Sequence, residues 1–247
     1  MYTITTKIQM IKELLRSLRS VRRFFSKREI IVFYTPKWSN RVERILMEYA
    51  TVIRVPNVTK PFKAFPHKPP SYYGEKIHLC DVDSETVIFL DADTIVRRDL
   101  HKLLDGEYHF SARVPPSFWR EIDLKTWIRI FRNYGSKPVP MPNTGFLIFR
   151  KRLHQKIKKF WLDFINSDIP NPFRKSYPKD QISLALALGK VSGIRIRWMS
   201  SREHAFLWLG ELGWRSYVLH GRIARHNPIR KKINYWALKL LNHFRRT

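Results

Sequence analysis

Two aspartates one residue apart, Asp91-Ala92-Asp93, close the apolar run Thr86-Val87-Ile88-Phe89-Leu90. Carboxylates at that spacing can grip a divalent cation, and a cation there neutralises a diphosphate, so the chemistry suggested is transfer from a nucleotide-activated donor. The run lies between Asp83-Ser84 and Arg97-Arg98. It predicts a buried strand of an α/β sheet, whose carboxyl end is where such sheets bind ligands. A structural alternative competes: Asp after a strand also satisfies nearby backbone amides and caps the following turn. The dipeptide spacing alone does not separate the two readings.

The elements that would position these carboxylates follow a βα order. Glu29–Tyr34 reads as a first strand. Asn40 with Glu43 three residues on opens a helix to about Tyr49 as a capping box, and Thr51–Val55 is a second strand. Beyond a proline-rich loop, about 73–81 is a short helix leading to the Asp91 strand, and about 98–105 a further helical turn. Tyr108–Val114 is expected as a strand and Ile122–Asn133 as a helix. Asn143-Thr144-Gly145 heads the strand Phe146–Phe149, and a helix covers about Arg152–Ile165. Asp180-Gln181 opens a helix over Ile182–Leu188, and late strands fall at Ile194–Trp198 and Tyr217–His220. No internal repeat is visible.

Composition bounds the class. The 247 residues, 44% hydrophobic and 14% aromatic, suit one α/β domain with appendages and exclude general disorder. A net charge of +27 predicts attraction to phosphate or to an anionic membrane. Residues 1–28 hold eight Lys/Arg against Glu13, and residues 229–247 hold six with no acid, so nearly half the excess sits in the two ends. Both ends have amphipathic patterns. Ile8, Ile11, Leu14, Leu15, Leu18, Val21 and Phe25 oppose Lys12, Arg16, Arg19 and Arg23; after Pro228, Ile233, Trp236, Leu240 and Phe244 form a second apolar stripe. Such helices either dock on the body of the protein or lie in an anionic lipid interface.

The single cysteine, Cys80, permits no internal disulfide and no zinc site of several thiolates. No apolar stretch is long enough to span a bilayer, and Lys12, Glu13, Arg16 and Arg19 interrupt any signal-peptide core. The expected location is cytoplasmic, peripheral on the inner face of the membrane.

In its order of signals the chain resembles the family 8 glycosyltransferases, the group of glycogenin and the bacterial galactosyl- and glucosyltransferases. The likeness covers about residues 29–228 and rests on the first strand, Lys76, Asp91-Ala92-Asp93, Asn143-Thr144-Gly145, Asp180-Gln181 and His220-Gly221. It implies a GT-A fold: a mixed, mainly parallel Rossmann-like central sheet flanked by helices. The expected organisation is a basic amphipathic helix over 1–28, the GT-A domain over 29–228 and a second basic helix over 229–247.

The resemblance also implies roles. Asp91, Asp93 and His220 would hold Mn²⁺ or Mg²⁺ against the diphosphate of a nucleotide-sugar, with uridine as the expected base. Ala92 would let the ribose approach the backbone, Lys76 and Arg222 would contact the donor phosphates, and Tyr34 and Thr35 would hold the base. Asn143, Asp180 and Gln181 would face the transferred sugar and the acceptor, although Asp180 is equally placed to cap its helix. Family members continue after the histidine to Lys-Pro-Trp. Here the chain reads Arg222-Ile223-Ala224-Arg225-His226, so His226 competes with His220 as third ligand.

The expected function is metal-dependent, anomer-retaining transfer of a hexose to a glycan, lipid-linked or protein acceptor at an anionic membrane. Two rivals remain at this level. A nucleotidyltransferase uses paired aspartates in the same way but needs a triphosphate grip that the chain does not display. A nucleic-acid-binding protein would explain the charge, yet no recognised binding module is present, and no specific nucleic acid is expected.

Overall fold

The structure is a computed structural model that describes residues 2–4, 8–35, 40–67, 69–173, 176–211 and 215–221. The expected C-terminal helix at 229–247, Arg222 and His226 lie outside the described residues. The elements are β1 (Tyr2–Ile4), α1 (Ile8–Val21), β2 (Ile31–Tyr34), α2 (Asn40–Met47), β3 (Thr51–Arg54), β4 (Val87–Leu90), β5 (Thr94–Val96), β6 (Phe110–Ala112), α3 (Pro116–Glu121) and α4 (Leu124–Asn133). They continue with β7 (Phe146–Phe149), α5 (Leu153–Asn166), α6 (Lys179–Lys190), β8 (Ile196–Trp198), β9 (His204–Phe206) and β10 (Val218–His220). A 3₁₀ helix over Tyr73–Asp81 occupies the place expected for a short helix.

Among the described residues the strands form three sheets. β1-β2-β3 is parallel throughout. In β4-β7-β6-β8 the β4–β7 and β6–β7 ladders are antiparallel and β6–β8 is parallel, while β10 pairs antiparallel with β5 and parallel with β9. Parallel pairing therefore dominates the N-terminal sheet, and the sheet carrying the aspartates is the mixed part.

Alternation along β4 and β7 builds a three-layer body, because successive strand side chains leave on opposite faces. Phe89, Leu147 and Phe149 face a core with Phe131 of α4, Trp161 of α5 and Leu184 of α6. Leu90, Phe146 and Ile148 face a second core with Leu14 and Leu18 of α1, Val32 of β2 and Leu46 of α2. Burying such side chains is worth about 1.5–3 kcal/mol each, which makes the sheet a rigid base for what leaves its edge.

The N-terminal segment differs from the expectation. Helix begins at Ile8, and Tyr2-Thr3-Ile4, three residues that favour extended backbone, instead add an edge strand to β2. The apolar stripe of α1 turns into the protein, where Leu14 and Leu18 are fully buried, while Lys12, Arg16 and Arg19, and Arg22 and Arg23 just past its end, are exposed. Two serines fasten this helix to β5. Ser17 Oγ lies 3.2 Å from Thr94 Oγ1, and Ser20 Oγ accepts the Val96 amide at 2.9 Å.

Two local expectations also change. The Glu43 carboxylate, expected in a capping box, accepts the Tyr34 hydroxyl. The helix expected over Ile122–Asn133 is α4, which starts at Leu124 because Asp123 accepts the Lys125 and Thr126 amides as an N-cap, and a further short helix, α3, precedes it where a loop was expected.

A cavity of about 440 Å³, floored by Val21, Phe25, Ile30, Val87 and Leu100, touches neither aspartate. Among the described residues, no helix is long and apolar enough to cross a membrane.

Candidate active site

The Asp91-Ala92-Asp93 turn joins β4 to β5, and register delivers its neighbours. β7 runs antiparallel to β4 with Leu90 opposite Phe146, and the ladder extends one bond further, Asp91 N to Gly145 O at 2.8 Å. Asn143-Thr144-Gly145 therefore enters β7 beside Asp91. On the other flank β10 pairs with β5, His220 opposite Thr94, and Gly221 N donates to Asp93 O at 3.0 Å. Thr94 Oγ1 donates to Asp91 O at 2.7 Å and holds the turn closed.

His220 Nε2 consequently lies 3.3 Å from Asp93 Oδ1 and 3.6 Å from Asp91 Oδ2. One ligand atom from each of the three residues falls within 4.8 Å of the others, a set that suits a divalent cation. Two carboxylates and one imidazole suit Mn²⁺ better than an all-oxygen set would. Burial would lower the His220 pKa, but the carboxylates of Asp93 and Asp91 outweigh it and push it up to about 9. A cation would take the place of that proton.

Behind His220 stands His204, a residue the sequence did not single out. Its Nε2 lies 3.2 Å from His220 Nδ1, and burial, then His220 and Arg113, hold its pKa well below the usual histidine range. A neutral His204 can accept the Nδ1–H of His220, which leaves His220 Nε2 to face the carboxylates, carrying a proton that a cation would displace. Gly145 supplies the space: a Cβ there would stand 1.8 Å from His220 Cε1.

The opposite flank of Asp91 is a buried ionic cluster. Lys76 Nζ lies 2.9 Å from Asp91 Oδ1, 3.0 Å from Thr144 Oγ1 and 3.6 Å from Asp180 Oδ2. Thr144 Oγ1 in turn donates to Asp180 Oδ2 at 2.6 Å. Burial opposes charge on both ions, but Asp91 and Asp180 raise the Lys76 pKa, and Lys76 followed by His220 lowers that of Asp91. Lys76, expected on the donor phosphates, is here bound to the aspartate that would ligate the cation.

The remaining predicted residues divide. The Asp180 carboxylate faces Thr144 and Lys76 and makes no helix-capping bond at the start of α6. Its neighbour Gln181 carries a buried Oε1 with no hydrogen-bond partner among the described residues. Asn143 Oδ1 accepts the Gly145 amide at 3.0 Å and so fixes the strand entry. Ala92 packs its methyl into the second core, which requires a small side chain there. Tyr34 and Thr35 end β2 in a different sheet, and the Tyr34 hydroxyl is engaged by Glu43. On the Asp93 side, Glu13 and Arg16 of α1 share a small cleft with Asp93, Ile95 and Gly221. Sequence patterning singled out neither as a site residue.

The 3₁₀ helix that supplies Lys76 is pinned by its neighbour. Glu75 accepts the Thr59 amide at 2.8 Å and hydroxyl at 2.6 Å, and its Oε2 meets His78 Nε2 at 3.1 Å, while His78 Nδ1 lies 3.2 Å from Asp81. Burial lowers the His78 pKa, but Glu75 and Asp81 outweigh it, so its folded value stands above the ordinary 6.5. The sign follows. The contribution of His78 to stability is full below the unfolded value and is lost as pH rises through the higher folded value. The melting-temperature advantage of the native chain over His78→Phe is therefore expected to shrink as pH rises above the ordinary histidine value of about 6.5. A constant advantage above that value refutes the charged pairing.

No protein-family profile and no curated protein matches the sequence. Solved structures do match its fold. The galactosyltransferase LgtC, in complex with donor and acceptor sugar analogues, superposes with a TM-score of 0.60 over 89% of this chain and 86% of that one, at 16% identity. The bifunctional glycosyltransferase WbbM gives 0.61 over 92% of this chain and 46% of that one at 11% identity. Mouse xyloside xylosyltransferase 1 gives 0.50 over 92% and 98% at 15% identity. The chain has the GT-A fold of these glycosyltransferases.

Proposed function

We propose that this chain is a metal-dependent glycosyltransferase that moves a hexose from a nucleotide-diphosphate sugar, with UDP as the expected carrier, to a saccharide-bearing acceptor. The observation that carries the reading is the convergence of Asp91, Asp93 and His220 from two strand ends and a distant third strand onto one cation-sized space. A divalent cation held there supplies charge neutralisation to the departing diphosphate. Lys76 fixes the Asp91 carboxylate and adds positive charge beside it. Asp180, held by Thr144 and Lys76, is positioned to stabilise positive charge developing on the transferred sugar, consistent with a retaining reaction. The Nδ2 group of Asn143 and the unpartnered Oε1 of Gln181 are the expected contacts for sugar hydroxyls. Tyr34 and Thr35 remain the proposed contacts for the base, and Arg222 for the phosphates.

The acceptor reading extends to a lipid-linked glycan or a protein at an anionic membrane surface on the cytoplasmic side. The exposed arginines of α1 support attachment there by charge alone, since the apolar face of that helix is buried.

The test is calorimetry of UDP binding with and without Mn²⁺, followed by a screen of UDP-sugars for release of free UDP. Mn²⁺-dependent UDP binding and turnover of at least one donor are the expected results. A native protein that binds UDP equally well without any divalent cation, or not at all, defeats the proposal.

A further inference from the structure

Trp208 is a large aromatic side chain that the mechanism so far does not use. It lies between β9 and β10 and is 49% exposed, although its immediate neighbours Phe206 and His220 are buried. Exposure of an indole beside a buried ionic site is costly unless something covers it in use.

The ring is held firmly. Its plane stacks on Phe206 at 4.7 Å and 22°, and it meets the His220 imidazole at 4.9 Å and 80°. Phe206 is itself braced by the Arg113 guanidinium, 4.5 Å from its centroid, and Arg113 is locked to Glu211. Gly221 makes the close approach possible, since a Cβ there would stand 2.9 Å from Trp208 Cε3. The indole is thus held by Phe206, His220 and Gly221, and about half of the residue is exposed directly beside a cation ligand. A rigid, preoriented aromatic with few rotamers to lose is what a stacking site requires.

We infer that Trp208 is the platform on which a pyranose ring of the acceptor stacks, an assignment that rests on the transferase reading above. The apolar C–H face of a pyranose complements the electron-rich face of an indole. Position selects the acceptor among the possible rings. Asp180, assigned above to the transferred sugar, is held by Thr144 and Lys76 on the Lys76 side of Asp91. The nucleobase is separated from the diphosphate by a ribose, whereas Trp208 contacts the ligand His220 itself. The ring next to the cation, on the flank away from Asp180, is therefore that of the acceptor.

The experiment uses the full chain with saturating UDP and Mn²⁺ and the methyl glycosides of galactose, glucose, mannose and N-acetylglucosamine as probes. Saturation-transfer NMR should show contact with at least one glycoside, strongest on ring C–H protons. Trp208→Ala should weaken that binding about ten-fold or more, and Trp208→Phe should retain most of it. UDP affinity, measured by calorimetry on the same preparations, should be unchanged in both variants, which also certifies their folding. Undiminished glycoside binding in Trp208→Ala overturns the assignment. So does a Trp208→Ala variant that loses UDP affinity instead, which would give the ring to the base or to the bracing of His220, and so does a native protein that binds UDP and Mn²⁺ but none of the glycosides. A native protein that binds no UDP fails the transferase reading first and removes the basis of this one.

Discussion

Asp93→Ala is expected to abolish Mn²⁺-dependent UDP binding and to lower transfer at least about 1,000-fold while leaving stability within about 1 kcal/mol of native. Asp91→Ala is expected to lose both. The two carboxylates look equivalent in sequence, but their surroundings differ. Among the described residues Asp93 is ion-paired with His220, whereas Asp91 also neutralises Lys76, whose side chain is 10% exposed. Removing Asp91 leaves a buried ammonium with Asp180 at 3.6 Å as its nearest remaining carboxylate. Breaking one side of such a buried pair costs about 3–5 kcal/mol, and the surviving Asp180 and Thr144 contacts place this case at the lower end. For a chain of this size that corresponds to a melting-temperature loss of roughly 10 °C. Thermal unfolding and UDP calorimetry on the two single variants read both quantities. Equal destabilisation by the two substitutions, or unaltered UDP binding in Asp93→Ala, contradicts the architecture described.

Gly145→Ala is expected to be as damaging as loss of His220, although residue 145 ligates nothing. The new methyl would stand 1.8 Å from Cε1, 2.4 Å from Nδ1 and 2.5 Å from Nε2 of the imidazole. The ring cannot move aside cheaply. His204 stacks on it at 5.3 Å, Trp208 closes its flank at 4.9 Å, and the Gly145 carbonyl is tied to the Asp91 amide. Overpacking of this kind costs about 1–3 kcal/mol, and its relief must displace a cation ligand. Mn²⁺ affinity, followed by the paramagnetic broadening of solvent water, should fall at least about 100-fold, in step with His220→Ala. A Gly145→Ala variant with native Mn²⁺ affinity would show that the imidazole is not where the strands place it.

How much of this was legible beforehand depends on range. The apolar strand before Asp91 and the entry to β7 were readable because four consecutive apolar residues leave a local signal. The aspartates, His220, Asp180 and Lys76 were readable as members of an ordered motif, and they do meet. β5 and β9 were not, since three residues are too few to establish a period, and β1 was hidden inside a segment whose following pattern is helical. His204 escaped for a different reason. Its meaning comes from parallel register, with His204 opposite Val218 and its ring against His220, a pairing with no trace in local composition. The docking of α1 could not be decided from its amphipathic pattern, because a lipid surface and a protein core ask for the same stripe. Lys76 was expected on the substrate and is found on Asp91; a lysine's charge is visible in sequence, its partner only in space.

The order β5-β10-β9 has a consequence for the timing of assembly. The strand bearing His220 is the middle one of its sheet, and both of its neighbours precede it in the chain. A polypeptide emerging from the ribosome presents the two aspartates more than a hundred residues before the imidazole that completes the set. Until that last strand slides between the two waiting ones, the nascent protein has no closed trap for a metal ion, and nucleotide capture is deferred until the scaffold is whole.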